Sequence, residues 1–145
     1  QDDIDLPADL NDMASTRLPS EFEQLAFSIG IEDWIRAVFA CNQYVDTQAP
    51  WALRKTDPER MRAVLMTLFQ AVRTLAIAIR PVVPAAADTL LDQMGIPADA
   101  RDFGALADND WFAKLTASGF TVGQPVAIFP RLELPAEDNG GEGEA

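Results

Sequence analysis

The run from Thr56 to Arg80 constrains this chain more than any other segment. Met61, Val64, Leu65, Leu68, Val72, Leu75, Ala76 and Ile79 recur at the 3.6-residue period that puts them on one helical face. The start is marked twice, by the capping-box spacing of Thr56 to Glu59 and by Asp57 followed by Pro58. Pro81 and Pro84 mark the end, because proline lacks the amide donor that another turn requires. Phe69 and Ile77 lie beside the stripe and widen it, so neighbours must cover this helix on more than one side. A helix bundle with this segment at its centre is the simplest way to bury such a surface.

The rest of the chain supplies the neighbours. Pro7 starts a helix carrying Leu10 and Met13, and Pro19 interrupts or restarts it before Phe22, Leu25 and Ala26. Ser28 is placed to cap the next helix, with Glu32 and Asp33 near its positive end. That helix runs to about Gln48 with a stripe of Ile31, Trp34, Ile35, Val38 and Val45. Asn42 falls on the same face, where it is expected to bond the backbone of the following turn or, less simply, a ligand. A shorter helix begins at Pro84, passes through Ala87, Leu90, Leu91 and Met94, and can end at Gly95 in the left-handed conformation. Beyond it come a helical turn at Phe103 and Leu106 and a helix from Asn109 or Asp110 through Trp111, Phe112 and Leu115. Val122, Val126, Ile128 and Phe129 then form an extended strip that covers the bundle. The expected fold is therefore all-α, an antiparallel bundle of four or five helices over residues 1–136 with a short C-terminal extended segment. Residues 137–145, mostly glycine and acid, are expected to be disordered.

The stretch from Asn42 to Lys55 runs off the end of one helix into an elbow at Pro50. Trp51 just beyond it has two readings. It can be a core residue that anchors the elbow, or an exposed indole on which an unpaired base stacks while Arg54 and Lys55 meet the phosphates. A formal charge of −12 at first opposes nucleic acid. The distribution of that charge points the other way. Between Trp34 and Arg80 there are seven basic residues (Arg36, Arg54, Lys55, Arg60, Arg62, Arg73 and Arg80) against three acids (Asp46, Asp57 and Glu59). The bland alternative is a set of solvated helix faces.

Asn42-x-Tyr44-Val45-Asp46-x-Gln48-Ala49-Pro50-Trp51-Ala52-Leu53-x-Lys55, the helix closing on Arg80-Pro81-Val82-Val83-Pro84, and Phe129-Pro130-Arg131-Leu132-Glu133 together resemble the C-terminal anticodon-binding domain of bacterial methionyl-tRNA synthetase. The likeness extends from about Leu25 to Glu133. It implies that Trp51 stacks on an anticodon base with Pro50 in support, and that the partner is the anticodon loop of tRNA. An asparagine and an arginine that the family carries on an earlier helix have no recognisable counterpart here, so the first family helix is expected to be absent from these 145 residues. Gln43 stands where the family often has a basic residue. The resemblance also implies a catalytic domain on the same polypeptide, where ATP and methionine would bind. Neither its HIGH-type nor its KMSKS-type signature occurs in these 145 residues.

No catalytic residue, metal site or cofactor is therefore expected in this segment. There is no histidine, and the single cysteine, Cys41, offers neither a disulfide nor a Cys/His zinc site. Reduced cysteine suits the cytoplasm, and no apolar run of about 18 residues stands out as a membrane span. The competing classes are a non-catalytic helical protein-interaction domain and the anticodon domain of a related class I synthetase; Ala49-Pro50-Trp51 favours methionine.

Overall fold

A computed structural model describes residues 5–131. The expected acidic tail, together with Leu132 and Glu133, lies outside the described residues. Within them the chain is helical, with no strand.

Helix α1 (Leu6–Asp12) begins where Asp5 accepts the Ala8 N–H at 3.4 Å, with Pro7 in the first turn. One π-helical turn, Met13–Arg17, leads directly into α2 (Leu18–Glu23). Pro19 therefore does not break the chain. It sits in the first turn of α2, next to a turn already wound differently. Leu25, at φ 59°, ends α2: its N–H reaches Phe22 and that of Ala26 reaches Glu21, a Schellman closure without the usual glycine.

Helix α3 (Phe27–Gln48) has Ala26 rather than Ser28 at its N-cap, with no side-chain cap bond. Its buried face is Gly30, Asp33, Ala37 and Cys41. The sequence stripe is rotated away from that face: Trp34, Val38 and Val45 are half-buried, while Ile35 and Asn42 are exposed. Small residues decide this. A Cβ on Gly30 would lie 2.7 Å from the Phe22 ring and 3.0 Å from Leu18, so α2 approaches where the side chains are shortest. Asp33 is held by ion pairs to Arg17, at 3.4 Å, and to Arg36. These pairs, more than the helix dipole, account for the acid at that position.

Helix α4 (Pro50–Thr56) is a short helix where only an elbow was expected. Helix α5 (Pro58–Ile79) has the predicted bounds, and of the two predicted frames the Asp57 frame holds: its carboxylate accepts the Arg60 N–H at 3.0 Å. Its burial is graded. Every residue from Arg73 to Ile79 is buried, whereas between Pro58 and Gln70 only Val64 is. By length and a mean hydropathy of 1.5, α5 could cross a membrane. Packing against α1, α3 and α6 accounts for that composition within a bundle.

Helix α6 (Pro84–Gln93) closes in the predicted manner at Gly95, φ 71°. Arg101 is buried and fastens the following loop, donating to the Ile96 carbonyl at 3.0 Å through Nε and to Asp92 at 2.5 Å. Asp88 receives Arg80 at 2.8 Å, and that bond holds its carboxyl below the usual range. Two short 3-10 turns precede α7 (Trp111–Ala117), whose Trp111 stacks on Phe69 at 6.1 Å. Residues 121–131 run without regular structure. Gln93 is their tether, pairing its side-chain amide with both backbone groups of Val126 and its carbonyl with the Gly123 N–H at 2.7 Å. Only Ile128 of the four predicted covering residues is even partly buried. Val122, Val126 and Phe129 remain exposed, and Ile128 and Phe129 border an apolar hollow lined by Trp34, Val38, Leu75 and Leu90.

Seven α-helices among the described residues thus replace the four or five expected. The difference lies in the short pieces α2 and α4, whereas α7 stands where a helix was expected. The largest fully buried side chains are Leu10, Met13, Leu18, Ile77 and Leu91, in a core that also takes in Ala37 and Cys41 of α3.

Candidate nucleic-acid interface

The elbow is made by two single-residue hinges. Ala49 takes the left-handed conformation, φ 42° and ψ 59°, while its N–H caps α3 on the Val45 carbonyl at 2.9 Å. For a residue with a Cβ this costs about 1–2 kcal/mol, which the surrounding contacts must offset. Asp57, at φ −149° and ψ 79°, is the second hinge. Between them α4 packs on α5, with Pro50 buried and Leu53 half-buried. Those two residues claim the inward face, so Trp51 points outward with 64% of its surface exposed. The core reading of Trp51 is thereby overturned.

Arg54 and Lys55 occupy the last turn of α4, where their charge also offsets the negative helix end. Both are exposed, and neither has a hydrogen-bond or ion-pair partner among the described residues; the same holds for Arg62 in α5. The other four members of the basic window are committed elsewhere. Arg36 pairs with Glu32 and Asp33, and Arg80 with Asp88. Arg60 donates to Gln48 Oε1 at 2.7 Å. Arg73 is buried, lies 4.2 Å over the Trp111 ring, donates to the Ala105 carbonyl at 2.8 Å and leaves its Nε unpaired. Burial lowers the Arg73 pKa, yet an arginine stays protonated. Within this window the unpaired cations are thus Arg54 and Lys55 on α4 and Arg62 early in α5; Arg131, outside the window, is also exposed.

Asn42 is exposed and makes no hydrogen bond to the elbow, so the turn is not held by it. The rotation of α3 toward its small residues turned Asn42 outward. The holding bond is the one from Arg60 to Gln48. No sequence period links two residues on separate helices twelve positions apart, so that bond could not be foreseen. Phe39, 68% exposed on the outer face of α3, likewise carries no signal in the sequence that sets it apart. The Cys41 thiol is pushed up to about 11 by burial and is unreactive at neutral pH. Among the described residues no cluster of side chains could hold a metal ion.

A helical bundle that presents a bare indole and two unpaired cations on one short helix offers a surface suited to recognition. Its family follows from comparison with known proteins. The sequence model described as the anticodon binding domain of methionyl tRNA ligase matches residues 6–138, and the chain belongs to that family. The methionine–tRNA ligase of Rickettsia felis is 39% identical over 103 residues, covering 71% of this chain and 19% of the relative. That of Rhizobium meliloti is 40% identical over 101 residues, covering 70% and 19%. A crystal structure of apo Mycobacterium tuberculosis methionyl-tRNA synthetase superposes with a TM-score of 0.70 at 28% identity, over 93% of this chain and 27% of that one. The chain spans about a fifth of the length of these curated relatives.

Proposed function

We propose that this chain reads the anticodon loop of a methionine tRNA for a polypeptide whose other part joins methionine to that tRNA using ATP. The observation that carries the reading is the exposed Trp51 on the same short helix as the unpaired Arg54 and Lys55, in a domain of the anticodon-binding family. Trp51 stacks on an unpaired anticodon base, and Pro50, buried against α5, fixes the indole's point of departure. Arg54 and Lys55 neutralise loop phosphates, and Arg62 extends the same charged edge. Asn42, six residues before the end of α3 and so about 9 Å along it, contributes a free amide for a base edge.

RNA specificity of this kind rests on splayed-out loop bases, which suits a projecting corner better than a basic stripe. The chemistry belongs to a catalytic domain of the same polypeptide, with methionine and ATP as its ligands, working in the cytoplasm. Methionine ligases among the relatives favour this assignment over the valine-, leucine- or isoleucine-specific enzymes. The test is a titration of the full-length polypeptide with anticodon hairpins. A CAU loop is expected to bind more tightly than permuted loops, with a log–log salt slope of about −2 for three single-strand phosphate contacts. Equal affinity for CAU and permuted loops refutes the reading.

A further inference from the structure

Arg60 is the one residue bonded to both flanks of α4. Its backbone N–H is accepted by Asp57, the hinge after α4, at 3.0 Å. Its guanidinium donates to Gln48, the residue before the other hinge, at 2.7 Å. Only Ala49 and Asp57 interrupt the helical path from Phe27 to Ile79. A seven-residue helix suspended between two single-residue hinges takes its direction from the positions of its two ends, and α4 packs chiefly on α5. Packing joins α3 to α5, and Trp34 Nε1–H donates to the Leu75 carbonyl at 2.9 Å, but that bond lies fourteen residues before Gln48, so the last turn of α3 needs a junction of its own beside the hinge. The Gln48–Arg60 bond makes that junction.

We infer that Gln48 and Arg60 are positioning residues for Trp51: their bond sets the direction of α4 and so preorganises the indole and the two cations behind it. This rests on the anticodon-reading function proposed above, and it assigns to Arg60 a role other than phosphate contact. Ordering the elbow before RNA arrives removes a conformational cost from binding. The effect of the tie on affinity is therefore larger than its effect on folding, since an exposed hydrogen bond contributes little to net stability.

The experiment uses the full-length polypeptide labelled with 5-fluorotryptophan, with the Trp51 resonance assigned through Trp51→Phe. Gln48→Met removes the acceptor while keeping length and helix propensity, and Gln48→Glu restores it. In the absence of RNA, Gln48→Met is expected to shift or broaden the Trp51 resonance, and Gln48→Glu to leave it near its original position. With a CAU hairpin, Gln48→Met is expected to bind about threefold to tenfold more weakly, with the salt slope and the unfolding midpoint nearly unchanged. A Gln48→Met variant whose Trp51 signal and affinity both match the parent overturns the inference. So does an Arg60→Ala variant that binds weakly with a shallower salt slope while Gln48→Met binds normally, because Arg60 is then a phosphate contact. If Trp51→Ala leaves RNA affinity intact, the proposed function fails, and the RNA-free resonance still judges the tie.

Discussion

Replacing Trp51 with alanine separates recognition from folding because the two costs differ in size. A tryptophan covered on all sides buries on the order of 250 Å². Trp51 is 64% exposed, so about a third of that surface is covered in the folded chain. At about 25 cal/mol per Å² the covered part is worth roughly 2 kcal/mol, and the true figure is smaller because unfolded chains already bury some surface. Trp51→Ala should therefore destabilise the fold by about 1–2 kcal/mol, against roughly 3–5 for an aromatic in the core. Losing a stacked base costs roughly 1–3 kcal/mol of binding, a weakening of about fivefold to 150-fold. Denaturant unfolding and hairpin affinity are measured on the same variant at low temperature, where it stays folded, and methionine-dependent pyrophosphate exchange by the parent polypeptide should be unchanged. A stability loss in the core range with normal binding refutes the stacking argument, as does an affinity loss that disappears once the folded fraction is taken into account.

Leu91→Ala, at a fully buried position in α6, should cost about 2–5 kcal/mol in denaturant titration. Leu68→Ala should fall below that range, since Leu68 is only half-buried despite lying on the apolar stripe of α5. Burial raises the Cys41 thiol from 9.0 to about 11, so the folded chain holds this proton more tightly than the unfolded one. The corresponding stability is intact below about pH 9 and is lost as pH rises toward 11, by an amount on the order of 2–3 kcal/mol. Comparing unfolding of the parent and Cys41→Ala at pH 8 and pH 10.5 isolates that contribution from the other groups titrating there; an equal alkaline loss in both would show that Cys41 is not its source.

The parts of the fold that were legible from sequence are those with a single physical determinant. Proline cannot continue a helix, so Pro81 closes α5 and Pro58 confines its start to two frames, and glycine tolerates φ 71°, so Gly95 ends the α6 segment as expected. The face of α3 was not legible from hydrophobicity alone. Ile31, Ile35 and Val38 are the more apolar side, but Gly30 and Ala37 allow helices to approach most closely, and close approach won. Asn42 followed that rotation and became a surface residue. Trp51 remained ambiguous for a related reason: whether a tryptophan after a proline points inward depends on which α4 residues meet α5, and Pro50 and Leu53 took that place. The basic window was visible as a count. Only the fold distinguishes Arg73, sealed over Trp111, from Arg54 and Lys55, which face solvent unpaired.

That sorting of charges reconciles an acidic domain with an anionic ligand. The formal charge of −12 opposes contact with RNA over most of the surface. At physiological ionic strength its reach is limited to about 8 Å, so carboxylates remote from the elbow are screened there while cations in contact with a phosphate are not. Arg36 and Arg80 are neutralised by their partners, whereas α4 carries two unpaired cations together with an exposed aromatic face. A body that repels phosphate around one attractive corner suppresses lateral, sequence-blind binding to RNA duplex. Phosphate contacts carry no base identity, so in the proposed mode of binding discrimination has to come from contacts to the bases. On the proposed reading the acidity of the chain restricts where RNA binds, stacking on Trp51 holds a base without choosing it, and the choice falls to hydrogen bonds with base edges, for which Asn42 is the exposed amide.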